Sequence, residues 1–328
     1  MKAFPPRIAR NSGRNTVAVV LKNYSTLGSY MKKRTILAAL LWLACSLAHA
    51  QDDLLGMMQT DSNAVEYAKA TFKSTRVING HSVETTPRKH MDFRISHRFG
   101  RLNSGAYNLW GLDLAYIRLA FEYGLTDRLM VGVGRSSTQK MFDGFAKYKL
   151  LQQSSGARNM PVTVVLLGSA AVNTLKFPQE SRPFQSRLAY CAQLLVARKF
   201  SDRFSLQLAP TLLHRNRVDA EGEENTVLAM GFAGRYKLTK RTAFNAEYYA
   251  VLPNQLDGQY HNSLALGFDI ETGGHVFSLH LTNSLGMVEK QFIAETTGRW
   301  VKGDIHYGFN VSRTFSFDKR SRQMNRPK

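Results

Sequence analysis

The sequence predicts an all-β protein, an antiparallel up-and-down transmembrane β-barrel of about twelve strands. Three observations predict it: strand-like alternation running from residue 89 to residue 317, connections that alternate short and long, and a secretory leader ahead of both. The alternation is plainest in Gly111 to Gly134, where Ala115, Ile117, Leu119, Phe121 and Tyr123 share one face and Tyr116, Arg118 and Glu122 the other. Leu125-Thr126-Asp127-Arg128 then turns the chain, and Leu129, Val131 and Val133 resume an apolar face. An isolated hairpin is not stable, so that face must meet lipid, a helix or a second sheet.

The leader is Met31 to Ala50: three cations, an apolar run from Ile36 to Leu47, then Ala48-His49-Ala50 as a small-x-small cleavage site. The thirty residues before it carry no apolar run and no strand pattern, and read as a mis-started N-terminal extension. Cys45 invites a lipoprotein reading, but Trp42 stands where such a signal wants a small aliphatic residue. Beyond the leader only Cys191 remains, which excludes an intramolecular disulfide. The best later apolar run, Val162 to Val172, is too short for a membrane helix. The formal charge is +20, but the first fifty residues hold eight of the cations and no acid, leaving about +12 for the rest.

Residues 51–88 read as a periplasmic lead-in or a plug tucked into the barrel mouth. They begin with a weakly amphipathic piece suited to a short helix and carry a turn signal at Asn79-Gly80. From residue 89 the strands follow one another, Met91 to Phe99 first, then the hairpin above, then Phe142 to Leu150. Pro161 to Asn173 is apolar on both faces. Leu188 to Val196, Phe204 to Leu212, Leu228 to Leu238, Phe244 to Ala250, Leu264 to Ile270, Phe277 to Leu281 and Ile305 to Val311 complete the series. Thr126, Ser201 and Thr239 occupy equivalent places in short hydroxyl-(Asp/Lys)-Arg turns, whereas the intervening connections are long and polar. Short turns on one side and long loops on the other are the pattern of an outer-membrane barrel.

A soluble β-sandwich also alternates, but the strands here approach the ten residues a tilted membrane crossing needs. The end of the chain, Asn310-x-Ser312-x-x-Phe315-x-Phe317, is similar to the C-terminal signal by which outer-membrane barrels engage the assembly machinery, with Ser312 where Gly is usual. The basic tail 318–328 departs from that signal. Arg313 falls on the apolar parity, so it must snorkel at a rim or a bulge must switch the parity. The stretches TFKSTRVINGHSVET at Thr71 to Thr85, HMDFRISHRFG at His90 to Gly100 and YIRLAFEYGLTDRLMVGVGRSS at Tyr116 to Ser137 carry a wider likeness. Through them the chain resembles an uncharacterised outer-membrane β-barrel family of Gram-negative bacteria, which implies fold and location and no activity.

Candidate site residues lie on the polar parity: Arg94, Arg98, Arg118, Lys147, Lys149, Arg187, Arg235 and Lys237, with Lys199, against Glu122, Asp143, Glu247 and Asp269. An open lumen lined this way favours small anionic solutes, which makes a passive porin-like channel one reading. Alternatively the charges pair across a filled interior, because twelve strands leave little room once long side chains point inward. That barrel would be structural, or would hold a periplasmic protein through residues 51–88. A third reading is a lipid hydrolase built on His280 with Ser278, or on His280 with His306, although no nucleophile motif accompanies them. Two His without a nearby Cys or carboxylate make a poor metal site, and no cofactor is expected. Nucleic acid is not an expected partner, since the cations sit on an interior parity.

Overall fold

The computed structural model describes residues 64–318, except 179 and 219–221. The leader, the extension before it, most of the segment suited to a short helix and nearly all of the basic tail lie outside the described residues; the described end of that segment forms a strand at Val65–Tyr67, not a helix. The barrel strands are β2 (His90–Arg101), β3 (Ala115–Gly124), β4 (Leu129–Ser136), β5 (Phe142–Leu151), β7 (Thr163–Val172), β8 (Leu188–Lys199), β9 (Phe204–Arg215), β10 (Thr226–Lys237), β11 (Thr242–Val251), β12 (Ser263–Thr272), β13 (His275–Thr282) and β14 (His306–Ser316). They close into a twelve-stranded barrel in which sequence neighbours pair antiparallel and β14 returns to β2. Two short strands stand apart from it, β1 (Val65–Tyr67) and β6 (Ser154–Gly156), which pair with each other and tie the incoming chain to the β5–β7 connection.

Burial inverts the pattern of a soluble protein. In β3, Leu119 and Phe121 are exposed while Arg118 and Glu122 are fully buried, and in β9 Leu206, Leu208 and Leu212 face out while Ser205, Gln207 and Thr211 face in. A barrel that turns Leu and Phe outward and Arg and Glu inward has hydrocarbon, not water, outside it. Outward cations keep to strand ends and lie over aromatic rings. The Arg135 guanidinium is 5.5 Å from the Phe142 ring, that of Arg198 is 5.2 Å from Phe200, and that of Arg313 is 5.0 Å from Phe315. Arg313 pairs with His275, the first residue after the β12–β13 turn, so it reaches the membrane rim; the irregularity in β14 lies at His306/Gly308 and does not switch its parity. The same energetics set an expectation for mid-strand Leu208: Leu208→Arg should cost roughly 2 to 4 kcal/mol at the hydrocarbon midplane. A drop in the urea midpoint of the protein folded into liposomes would register it.

The repeated turns have a common cause. Thr126 Oγ1 accepts the N–H of Arg128 and Leu129 at 3.2 and 2.9 Å, Ser201 Oγ those of Arg203 and Phe204 at 3.3 and 3.1 Å, and Thr239 Oγ1 those of Arg241 and Thr242 at 3.2 and 3.0 Å. A hydroxyl standing in for a backbone acceptor closes each turn without a glycine. These turns, the start of β2 and the end of β14 share one end of the barrel, the turn end. The opposite, loop end carries the longer connections. There the Asn103 amide donates to Asp304 Oδ1 at 2.7 Å, which ties the first loop to the last and holds the Asp304 carboxyl below its usual range. Pro210, in the middle of β9, has no N–H to give, and the β8–β9 register skips the residues opposite it.

Candidate functional site in a filled lumen

The lumen is occupied from both ends by the chain itself. From the turn end, residues 68–88 climb inside as a hairpin whose tip is the Asn79-Gly80 turn, closed by Val77 N–H to Gly80 O at 2.9 Å and Ser82 N–H to Thr75 O at 3.0 Å. Its apolar side chains Phe72, Val77, Ile78 and Val83 pack on the inward Val165 and Leu195 of β7 and β8, which is why Pro161 to Asn173 is apolar on both faces. From the loop end, the β13–β14 connection sends in a short helix, α1 (Glu289–Ala294). Phe292, Ile293 and Ala294 of α1 pack on inward Cys191, Leu213, Val227 and Tyr249. Cys191 is thus a small packing residue of the wall.

Polar groups of the wall are matched to the hairpin backbone. Glu247, midway along β11, accepts the N–H groups of Ile78, Asn79 and Gly80 at 3.2, 3.2 and 2.9 Å, so one carboxylate satisfies three consecutive donors at the tip. Gly80 lies against the Tyr249 ring, where a Cβ has no room. Lys147 Nζ donates to the carbonyls of Thr75, Ser82 and Glu84 at 2.8, 3.0 and 2.9 Å, which uses all three ammonium protons. Arg94 donates to Ser74 Oγ and Thr75 Oγ1 at 2.5 and 2.9 Å, and Thr75 Oγ1 in turn donates to Glu122 Oε2 at 2.5 Å. Arg98 bonds Asn79 Oδ1 and His280 Nε2. Gln207 and Asn310 donate to the carbonyls of His81 and Ile78 at 2.7 and 3.1 Å.

Hairpin and helix meet at Glu289. Its Oε1 lies 3.1 Å from Arg76 Nη1 and 3.3 Å from His81 Nε2, with all three side chains buried. The two insertions therefore share a charged contact inside the barrel, on residues separated by more than two hundred positions in the chain.

The candidate residues divide accordingly. Arg94, Arg98 and Lys147 are wall groups committed to the hairpin, and Arg118 is committed to Asp143 by Nε and Nη2 bonds of 2.9 and 2.5 Å. Arg235 donates to Ala70 O at 3.1 Å, and with Lys237 lines a turn-end cavity of about 100 Å³. Lys149 is half-buried in the last part of β5. Arg187 is a correction: it is not on the lumen wall but in a 3-10 turn, Gln185–Arg187, just before β8 and among the loops. Alternation alone puts Arg187 on the inner face, but β8 begins one residue later, at Leu188. The hydrolase constellation is not assembled either. His280 is buried against Arg98, and His306 Nδ1 contacts Phe99 O at 2.9 Å, so each imidazole is engaged separately, away from the lipid-facing surface.

A family model described as a membrane bound beta barrel domain (DUF5777) matches residues 72–315, which takes in the inner hairpin as well as the barrel. The chain belongs to that family. No protein of curated function matches the sequence significantly. Among solved structures the KdgM porin is similar at 12% identity over 69% of this chain and 99% of its own, with a TM-score of 0.43. The NanC porin is similar at 9% identity over 70% and 99%, also at 0.43. An outer membrane channel from Pseudomonas putida F1 aligns at 11% identity over 71% and 98%, with a TM-score of 0.46.

Proposed function

We propose that the protein is an outer-membrane barrel shut at rest by its own N-terminal hairpin, and that it passes small anions only when the hairpin leaves. The observation that carries this reading is the interlock at the tip, where Glu247 takes three backbone N–H groups while Lys147 returns three bonds to hairpin carbonyls. Inside the barrel the hairpin and α1 meet at the buried Arg76–Glu289 pair, so both insertions occupy the lumen at one level. A passive, permanently open pore does not fit an interior filled in this way. The selectivity expected of an emptied lumen follows from the same residues: without hairpin acceptors, Arg94, Arg98 and Lys147 would line it, and rings of cations favour anions.

The outer membrane as the location is supported by the leader at Met31 to Ala50, by the asymmetry of turns and loops, and by the aromatic end of β14, through which the barrel assembly machinery would engage the chain. A periplasmic partner held by residues 51–88 would be limited to the part ahead of the hairpin, because Phe72 and Val77 to Val83 are buried in the barrel. The test is recording of the refolded full-length protein in planar bilayers. Inserted barrels should be silent for long intervals, with any brief openings shifting the reversal potential toward the anion value under a salt gradient. A steady unitary current from each inserted copy would sink the proposal.

A further inference from the structure

The apolar outer surface does not stop where the strands do. The connection from β2 to β3, with a 3-10 segment at Ala106–Gly111, carries Tyr107, Leu109, Trp110, Leu112 and Leu114, and all five side chains are exposed. Tyr107 is 95% exposed, as is Val301 in the β13–β14 connection, more than any other large apolar residue described. Asn103 Nδ2 donates to Lys302 O at 3.1 Å, so these two loops stand at one corner of the loop end. The described chain begins and ends at the other end of the barrel, beside neither of them.

The loop is folded as a segment at a membrane surface would be. Its backbone pairs internally: Trp110 N–H donates to Gly105 O at 2.9 Å, Leu112 N–H to Leu109 O at 3.1 Å and Leu114 N–H to Gly111 O at 3.3 Å. Unpaired backbone groups are costly beside hydrocarbon. Its amide side chains are spent locally, Asn103 on Asp304 Oδ1 at 2.7 Å and Asn108 on Ser104 O at 3.2 Å. Leu109 and Trp110 both have left-handed backbone, with φ of 46° and 50°. That conformation is unfavourable for a residue with a Cβ, and strain that holds two large apolar side chains in the open marks a contact made outside the chain.

Height in the membrane agrees. Leu114 stands three residues before the lipid-facing Ile117, at most about 10 Å along the strand. A strand tilt of about 40° reduces this to about 8 Å of height. The interfacial layer on each side of the hydrocarbon is about 5 to 8 Å thick, so the loop starts level with the head groups. Asp113, the one charged side chain between Leu102 and Ala115, is exposed and keeps the segment at the bilayer surface and out of its centre.

We infer that the β2–β3 loop is an anchor in the membrane interface, with Tyr107, Leu109, Trp110 and Leu112 seated on the lipid of the adjoining leaflet. Lipid is the partner because the patch continues the face that Ile117, Leu119 and Phe121 already turn to hydrocarbon. Trp and Tyr suit that layer, since the ring buries apolar area while the N–H or O–H stays wet. Such anchoring needs a bilayer around the barrel and is independent of whether the lumen conducts. Through Asn103 it also holds the connection that carries α1 into the lumen.

Trp110 fluorescence in liposomes tests the anchor. The sequence has three Trp, so the full-length Trp42→Phe, Trp300→Phe variant reports on Trp110 alone. Refolded into bilayers whose lipids carry bromine on the upper acyl chain, it should lose most of the emission it shows in unbrominated bilayers. Trp300 Nε1 donates to Leu264 O at 3.0 Å; should its loss prevent folding, the difference between the parent and Trp110→Phe gives the same reading. Emission that brominated lipid leaves unchanged would overturn the inference. Strong quenching by dissolved acrylamide would then put the loop in water, and quenching by neither would put it beneath a protein, a second copy of the chain or another.

Discussion

Replacing Glu247 with Ala should turn a silent barrel into one that opens intermittently and prefers anions. The carboxylate accepts from Ile78, Asn79 and Gly80, three donors buried too deeply to find water. Leaving a buried donor unpaired costs about 1 to 3 kcal/mol. Even partial compensation would therefore weaken docking of the tip by several kcal/mol. The wall is affected far less, because β11 is held by its ladders to β10 and β12 along its length. The loss should accordingly fall on the equilibrium between seated and withdrawn hairpin, and only weakly on the barrel. Removing an anion from the lumen also shifts its balance further toward Arg94, Arg98 and Lys147, so openings in Glu247→Ala should carry a clearer anion preference than rare openings of the parent. Glu247→Gln retains an acceptor oxygen and should fall between the two. Planar-bilayer recording of variants with unaltered folded-barrel mobility measures this directly. A silent but folded Glu247→Ala would mean that the hairpin is a permanent part of the core, which is the structural-barrel alternative.

The barrel was legible in the sequence because its signal is local. Alternation between Leu119 or Phe121 and Arg118 or Glu122 needs no knowledge of distant residues, and an inverted pattern with charges inside follows from the membrane setting. The filling of the lumen is a different kind of information. The hairpin alternates poorly because its backbone is satisfied by side chains of the wall: Gly80 N–H by Glu247, 167 positions away, and Ile78 O by Asn310, 232 positions away. No window of sequence contains both partners. One trace was nevertheless present. Val165 and Leu167 on the inner parity of β7, like Leu195 on β8 and Leu213 on β9, are fully buried, and an aqueous lumen has no use for such residues. Apolar inner faces confined to neighbouring strands mark the side on which the insertions pack. Arg187 shows the opposite error, since strand parity says nothing about a residue once the chain has left the strand.

Replacing Arg118 with Ala should be among the most destabilising single changes in the wall, and should recover in part when Asp143 is removed as well. Arg118 on β3 reaches over β4 to Asp143 on β5, through a gap that exists because Gly134 stands between them; a Cβ there would run into the guanidinium. Both partners are buried, and two bonds of 2.9 and 2.5 Å join them. Breaking a buried pair from one side leaves an uncompensated charge and costs about 3 to 5 kcal/mol. Removing both charges avoids that penalty, so Arg118→Ala, Asp143→Ala should unfold at a higher urea concentration than Arg118→Ala alone, despite having lost more atoms. A double variant that is no better than the single one would show that the loss comes from packing around the long Arg side chain. The pair also separates structural from selective cations. Because Asp143 already neutralises Arg118, adding the double replacement to Glu247→Ala should leave anion preference nearly unchanged, whereas adding Arg94→Ala should reduce it.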